Sequence, residues 1–167
     1  MDHIIIDVDG LYGGLIIPKP HANYLYYTSH MSLIIGLYGL YKNNMMAIYP
    51  LSVYITSITY WRHPINDWRR YVDISCSAIS FICQTVQAIN HPKFISYISV
   101  IALAIIFYPL SFYFQHKYLP LSTLSHSLIH IVGNIANYIL YSHTDEVCDI
   151  SINENNWAND IYNPKSC

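Results

Sequence analysis

VDISCSAISFICQTVQAI, residues 72–89, carries a single formal charge, at Asp73. A run of this length matches a hydrocarbon layer about 30 Å thick. Its polar side chains are Asp73, Ser77, Ser80, Gln84 and Gln87. They recur at alternating steps of four and three residues, which puts them on one face of an α-helix. The stretch therefore predicts a membrane-crossing helix whose polar face avoids lipid and turns toward protein or water.

Working outward, charge gaps mark four further apolar spans: residues 24–41, 46–61, 94–114 and 121–142. The second is short and reads as continuing to His63. Tyr and Trp crowd the span ends, as aromatic side chains do at membrane interfaces. The connections are short, which makes neighbouring helices antiparallel. The fold class that follows is an all-α membrane protein, a bundle of about five transmembrane helices with short loops. Three regions result: an N-terminal segment (1–23), the five-helix domain (24–142) and an acidic, Asn-rich C-terminal tail (143–167).

Composition agrees. Charged residues make up 11% of the chain, against roughly 25% in soluble domains. Hydrophobic residues are 53%, and 17 residues are Tyr. A net charge of −2 offers no basic face for a nucleic acid. Four cysteines are too few for a disulfide scaffold. Cys76 and Cys83 read as small core residues, and Cys148 and Cys167 could pair only in an oxidising compartment. The opening MDHIIIDVDG begins acidic and lacks a basic segment, so it is not read as a secretory signal. Its Asp-x-Asp-Gly motif resembles the first motif of haloacid-dehalogenase phosphatases. Those enzymes need an α/β domain behind the strand, and here an apolar span follows within about a dozen residues.

The charge that the spans lack is gathered between the second and third. Arg62, Arg69 and Arg70 read as side chains that reach lipid phosphates and set topology. Five spans put Lys19, these arginines and Lys117 on one side, and Lys42, Lys93 and Lys165 on the other. The basic excess predicts a cytosolic N-terminus and a luminal or extracellular tail. Membrane lipids are the expected partners, together with a second copy of the chain or another membrane protein.

Helical spacing also orders the other spans. Ser52, Thr56, Thr59 and His63 form one stripe, and Ser122, His126, His130, Asn134 and Asn137 another. Ser29, Ser32, Gly36 and Gly39 form a small-residue stripe that suits close helix packing. The fourth span faces lipid most. Asp73, His63, His126, His130 and His30 all fall toward the side of the charged loop. A His-x-x-x-His pair sets two imidazoles on one helix face, a spacing used for metals and most often for zinc. His63 is the candidate third ligand, and Asp73 the acceptor that orients a bound water.

Thr59-x-x-x-His63, Asp73 ten residues on, and His126-x-x-x-His130 together resemble the alkaline ceramidase and adiponectin-receptor superfamily of membrane hydrolases. That family carries Ser-x-x-x-His, an Asp about eleven residues later, and His-x-x-x-His in its last helix. The resemblance implies zinc on His63, His126 and His130, a metal water positioned by Asp73, and Thr59 where the family's Ser donates to the oxyanion. The implied activity is hydrolysis of lipid amides or esters. This chain departs from the pattern in having Thr for Ser, Pro64 directly after His63, and five spans where the family has seven.

Three functional readings follow. The foremost is a small non-catalytic membrane protein, a viral or organellar scaffold or assembly partner. The second is the zinc-dependent lipid hydrolase. The third is a haem-binding membrane protein, with His30 paired to His126 or His130 across helices.

Overall fold

A computed structural model describes residues 15–115 and 117–142. The Asp-x-Asp-Gly motif, the acidic tail, Cys148 and Cys167 lie outside the described residues. Within them the chain is all-helical. It forms α1 (Lys19–Tyr41), a short 3-10 turn (Met45–Ala47), α2 (Ile48–Trp61), α3 (Trp68–Ala88), α4 (Phe94–Gln115) and α5 (Leu119–Tyr141).

The helix ends have local causes. Pro18 and Pro20 open α1, and proline is tolerated in a first turn because those N–H groups have no helical partner. α1 thus begins at Lys19, inside the segment read as N-terminal. The turn after α1 uses Asn43 at a positive φ of 53°, a conformation in which Asn is among the more tolerant residues. Asn44 Oδ1 then accepts the Met46 N–H at 2.9 Å. α2 stops at Trp61 with Arg62 as its cap, because the residue before a proline is driven out of helical geometry. His63, expected on the last turn of that helix, instead stands exposed on the connection.

The charged loop is the start of α3. Asp67 Oδ1 accepts the Arg69 N–H at 3.1 Å and caps the helix. Its Oδ2 pairs with Arg69 Nε at 2.8 Å. Arg70 donates to Asn66 Oδ1 at 3.2 Å, while Arg62 is exposed.

The helices follow one another around an open ring in the order α3, α2, α1, α5, α4, with each neighbouring pair packed. α1 and α5 run parallel and in register. Thr123 Oγ1 and His21 Nδ1 lie 2.8 Å apart, and eleven residues further along each helix Asn134 Nδ2 donates to Ser32 Oγ at 2.9 Å. The small-residue stripe of α1 is buried throughout. A Cβ built on Gly36 would come within 2.5 Å of the Leu51 side chain, so α1 and α2 approach as closely as glycine permits. The ring stays open between α3 and α4, which meet through the hydrogen bond of Thr85 Oγ1 with Tyr97 OH at 3.3 Å.

Two apolar clusters close the ends. Ala88, Tyr97, Ile101, Ala136, Leu140 and Tyr141 fill the end away from the charged loop. Ile17, Ala22, Leu25, Tyr60 and Trp61 pack at the charged-loop end. There the segment before α1 is tied down by Ile16 N–H donating to the Pro64 carbonyl at 2.9 Å.

One helix among the described residues, α4, is long and apolar enough to cross a membrane by length and composition. That is narrower than the five-span expectation. α2 has 14 residues and by itself reaches only about 21 Å. α3 and α5 lose hydropathy to their polar stripes.

Candidate ligand cavity

The polar stripes of α3 and α5 meet. Between them and α4 lies a cavity of about 440 Å³, within the size range of small-molecule sites. α3 contributes Asp73, Ser77, Ser80 and Gln84, and α5 contributes His126, His130, Asn134 and Asn137. The α4 wall is mostly apolar: Ile101, Ala104 and Ile105, flanked by Tyr97 and Tyr108. Ile105 and Tyr108 are also exposed on the outer surface, so the cavity reaches the outside along α4.

A smaller space of about 80 Å³ sits toward the charged loop, lined by Arg70, Gln115, Trp61 and Thr123 among others. Asp73, Ile74, Tyr108 and His126 line both spaces. The two spaces, an outer vestibule and the inner cavity, therefore adjoin at these four side chains, called the neck below.

At the neck Asp73 is buried. Its Oδ1 accepts two hydrogen bonds from α2, from Ser57 Oγ at 2.6 Å and Thr56 Oγ1 at 3.0 Å. His126 packs edge-on against Trp61, with ring centroids 5.0 Å apart, and against His130 at 5.4 Å. Deeper in, Asn134 Nδ2 donates to Ser32 Oγ and to the His130 carbonyl, the latter at 2.7 Å. A carbonyl can only accept, so the orientation of this amide is determined by its partner. That leaves Asn134 Oδ1 buried with no partner, and His130 Nε2 is in the same condition. A buried polar group without a hydrogen bond costs about 1–3 kcal/mol, and such groups in native structures call for a bound water, ion or ligand.

The residues singled out in the sequence separate into two groups. Asp73, His126 and His130 are brought to one cavity. Thr59 is exposed and donates back to the Ile55 carbonyl at 2.7 Å, and His63 is exposed on the connection. Neither lines the cavity. His30 bonds the Tyr26 carbonyl at 2.9 Å through Nδ1 and packs on Tyr54 at 5.4 Å, also away from the cavity. Among the described residues no three His, Cys, Asp or Glu side chains gather in a group that could hold a metal ion. The zinc ligand set implied by the resemblance therefore does not fit this arrangement.

Ser57 is not on the expected α2 stripe, yet it makes the shortest bond to the buried carboxylate of Asp73. Ser57→Ala is expected to lower stability by about 1.5–3 kcal/mol, the usual range for a bond to a charged group. Reversible unfolding in mixed micelles measures it. A loss below about 0.5 kcal/mol, typical of an uninvolved surface substitution, would show that Asp73 does not depend on this contact.

No protein-family model, curated protein or solved structure matches this chain.

Proposed function

We propose that this chain is a multi-pass integral membrane protein that holds a small molecule among its helices, and that it is a non-catalytic binding protein. One observation carries the reading: large apolar side chains cover the outside of the bundle, while a buried carboxylate, two imidazoles and several amides gather at one inner cavity. Large apolar side chains are exposed on every helix, among them Ile34 and Leu37 of α1, Ile55 of α2, Ile79 and Ile82 of α3, Ile106 of α4 and Ile135 of α5. Soluble monomers rarely expose contiguous apolar patches beyond a few hundred Å². Meanwhile the carboxylate, two imidazoles and the amides of α3 and α5 line an inner cavity. That is the arrangement expected where the surroundings are hydrocarbon. A binding role is favoured over hydrolysis because the groups that would complete a hydrolytic centre, His63 and Thr59, face away from the cavity.

Glycosylation mapping tests the topology. Acceptor sites on flexible spacers are inserted after residues 43, 65, 91 and 117, and the protein is translated into microsomes. Five spans with a cytosolic N-terminus predict modification at 43 and 91 and none at 65 and 117. Crossing by α4 alone predicts that 43, 65 and 91 behave alike, and that result would overturn the five-span reading.

A further inference from the structure

The polar groups without partners indicate which solute the cavity takes. Asp73 is 7% exposed. Both of its hydrogen bonds fall on Oδ1, and among the described residues it forms no ion pair. Arg69 pairs with Asp67, while Arg70 donates to the neutral Asn66 amide and lines the outer vestibule without forming an ion pair with Asp73. Deeper along α5, Asn134 Oδ1 and His130 Nε2 are buried and unpartnered. Four to eight residues separate these positions from the neck histidine His126, a descent of about 6–12 Å. Within the inner cavity the unmet demand is thus a positive charge at Asp73 and a hydrogen-bond donor further in; the third unpartnered group, the Trp61 Nε1–H, belongs to a residue lining the outer vestibule and calls for an acceptor there. The α4 wall between them offers Ile101, Ala104 and Ile105 to an apolar chain.

An anion would bring its charge against Asp73 in a low-dielectric site. A metal ion would want a compact ligand group, which these residues do not form. Water satisfies the amide but leaves the carboxylate without a counter-charge. A neutral amphiphile has the same defect.

We propose that the cavity binds a linear organic ammonium ion that carries a second donor group, an α,ω-amino alcohol being the simplest example. The ammonium pairs with Asp73 at the neck. The methylene chain lies on Ile101, Ala104 and Ile105. The distal hydroxyl donates to Asn134 Oδ1 and meets His130 Nε2. This assignment rests on reading the cavity as a ligand pocket.

Gly133 supplies a clean test. It lines the cavity, and a Cβ built on it meets nothing within 4 Å. Gly133→Leu therefore fills the cavity from a helix that gains propensity by the change. The full chain in detergent micelles is titrated with aminohexanol and with hexanol by calorimetry. Aminohexanol is expected to bind one per chain, on the order of tenfold or more tighter than hexanol, the effect of one charge-assisted contact. Asp73→Asn should bring the two ligands together. Gly133→Leu, with Asp73 intact, should abolish binding of aminohexanol while the protein still elutes as a folded species. Equal affinity for aminohexanol and hexanol, or binding that survives Gly133→Leu, would overturn the proposal. The glycosylation pattern is read separately. A five-span pattern without aminohexanol binding overturns the ligand class and leaves the membrane reading standing. Binding by a chain that shows a single span does the reverse.

Discussion

Gly39→Leu is expected to cost the bundle about 3 kcal/mol or more, because it forces α1 away from two groups that cannot yield. A Cβ built on Gly39 lies 2.8 Å from Ala47 Cβ and 3.0 Å from the Tyr141 ring. Ala47 is fully buried in the 3-10 turn, and its Cβ moves only with the backbone. Tyr141 is fully buried as well, and its hydroxyl donates to the Met46 carbonyl at 3.0 Å. Gly36 provides the comparison. There the added Cβ would come nominally closer, 2.5 Å, but to Leu51, a flexible and only partly buried side chain. Gly36→Ala should therefore be tolerated better than Gly39→Ala. Unfolding midpoints of the variants in mixed micelles give the order. A reversed order would mean that Leu51, not the Ala47–Tyr141 corner, is the rigid partner of α1.

Tyr141→Ala should be at least as damaging, at about 3–5 kcal/mol, the range for truncating a fully buried aromatic side chain. Tyr141 is central to the cluster with Ala88, Tyr97, Ile101, Ala136 and Leu140. It also ties the end of α5 to the turn before α2 through the Met46 carbonyl. Tyr141→Phe keeps the ring, removes the hydroxyl with its hydrogen bond to the Met46 carbonyl, and should cost about 1 kcal/mol. The same unfolding measurement separates the two contributions. If Tyr141→Ala costs no more than Tyr141→Phe, packing in this cluster is not what closes the far end.

The apolar runs predicted the helices well, since charge and proline interrupt them where the chain turns. The starts of α1 and α3 fell earlier than the runs for a related reason. Lys19 and His21, and then Arg69 and Arg70, are polar, so they look like loop when hydropathy is the criterion. Yet Pro18 and Pro20 in one case and the Asp67 cap in the other are helix-opening signals, and they could have moved both boundaries. The stripes of α3 and α5 were legible because their carboxylate, imidazole and amide groups cannot be satisfied within a single helix. The stripe on α2 held at Thr56, which bonds Asp73, and misled at Thr59 and His63, which are exposed. Ser and Thr can bond the carbonyl four residues back, as Ser52 does with Ile48 and Thr59 with Ile55. Such a side chain need not face a partner, so its position does not reveal which way the helix is turned. Only the fold shows that Thr56 and Ser57, and not Thr59, look toward Asp73. His63 failed as a site residue for the reason its neighbour Pro64 already announced: the helix could not carry it inward.

The gap left between α3 and α4, which meet at one end around Thr85, Ala88 and Tyr97, has a consequence for supply. In a bilayer that gap faces acyl chains, and the exposed Ile105 and Tyr108 stand at its edge. On the proposed five-span reading, a solute already dissolved in the membrane would enter sideways without returning to the aqueous phase. The rate of filling is then governed by how much the bilayer has absorbed, so two compounds of equal affinity but different partition coefficients fill the site at different rates at equal bath concentration.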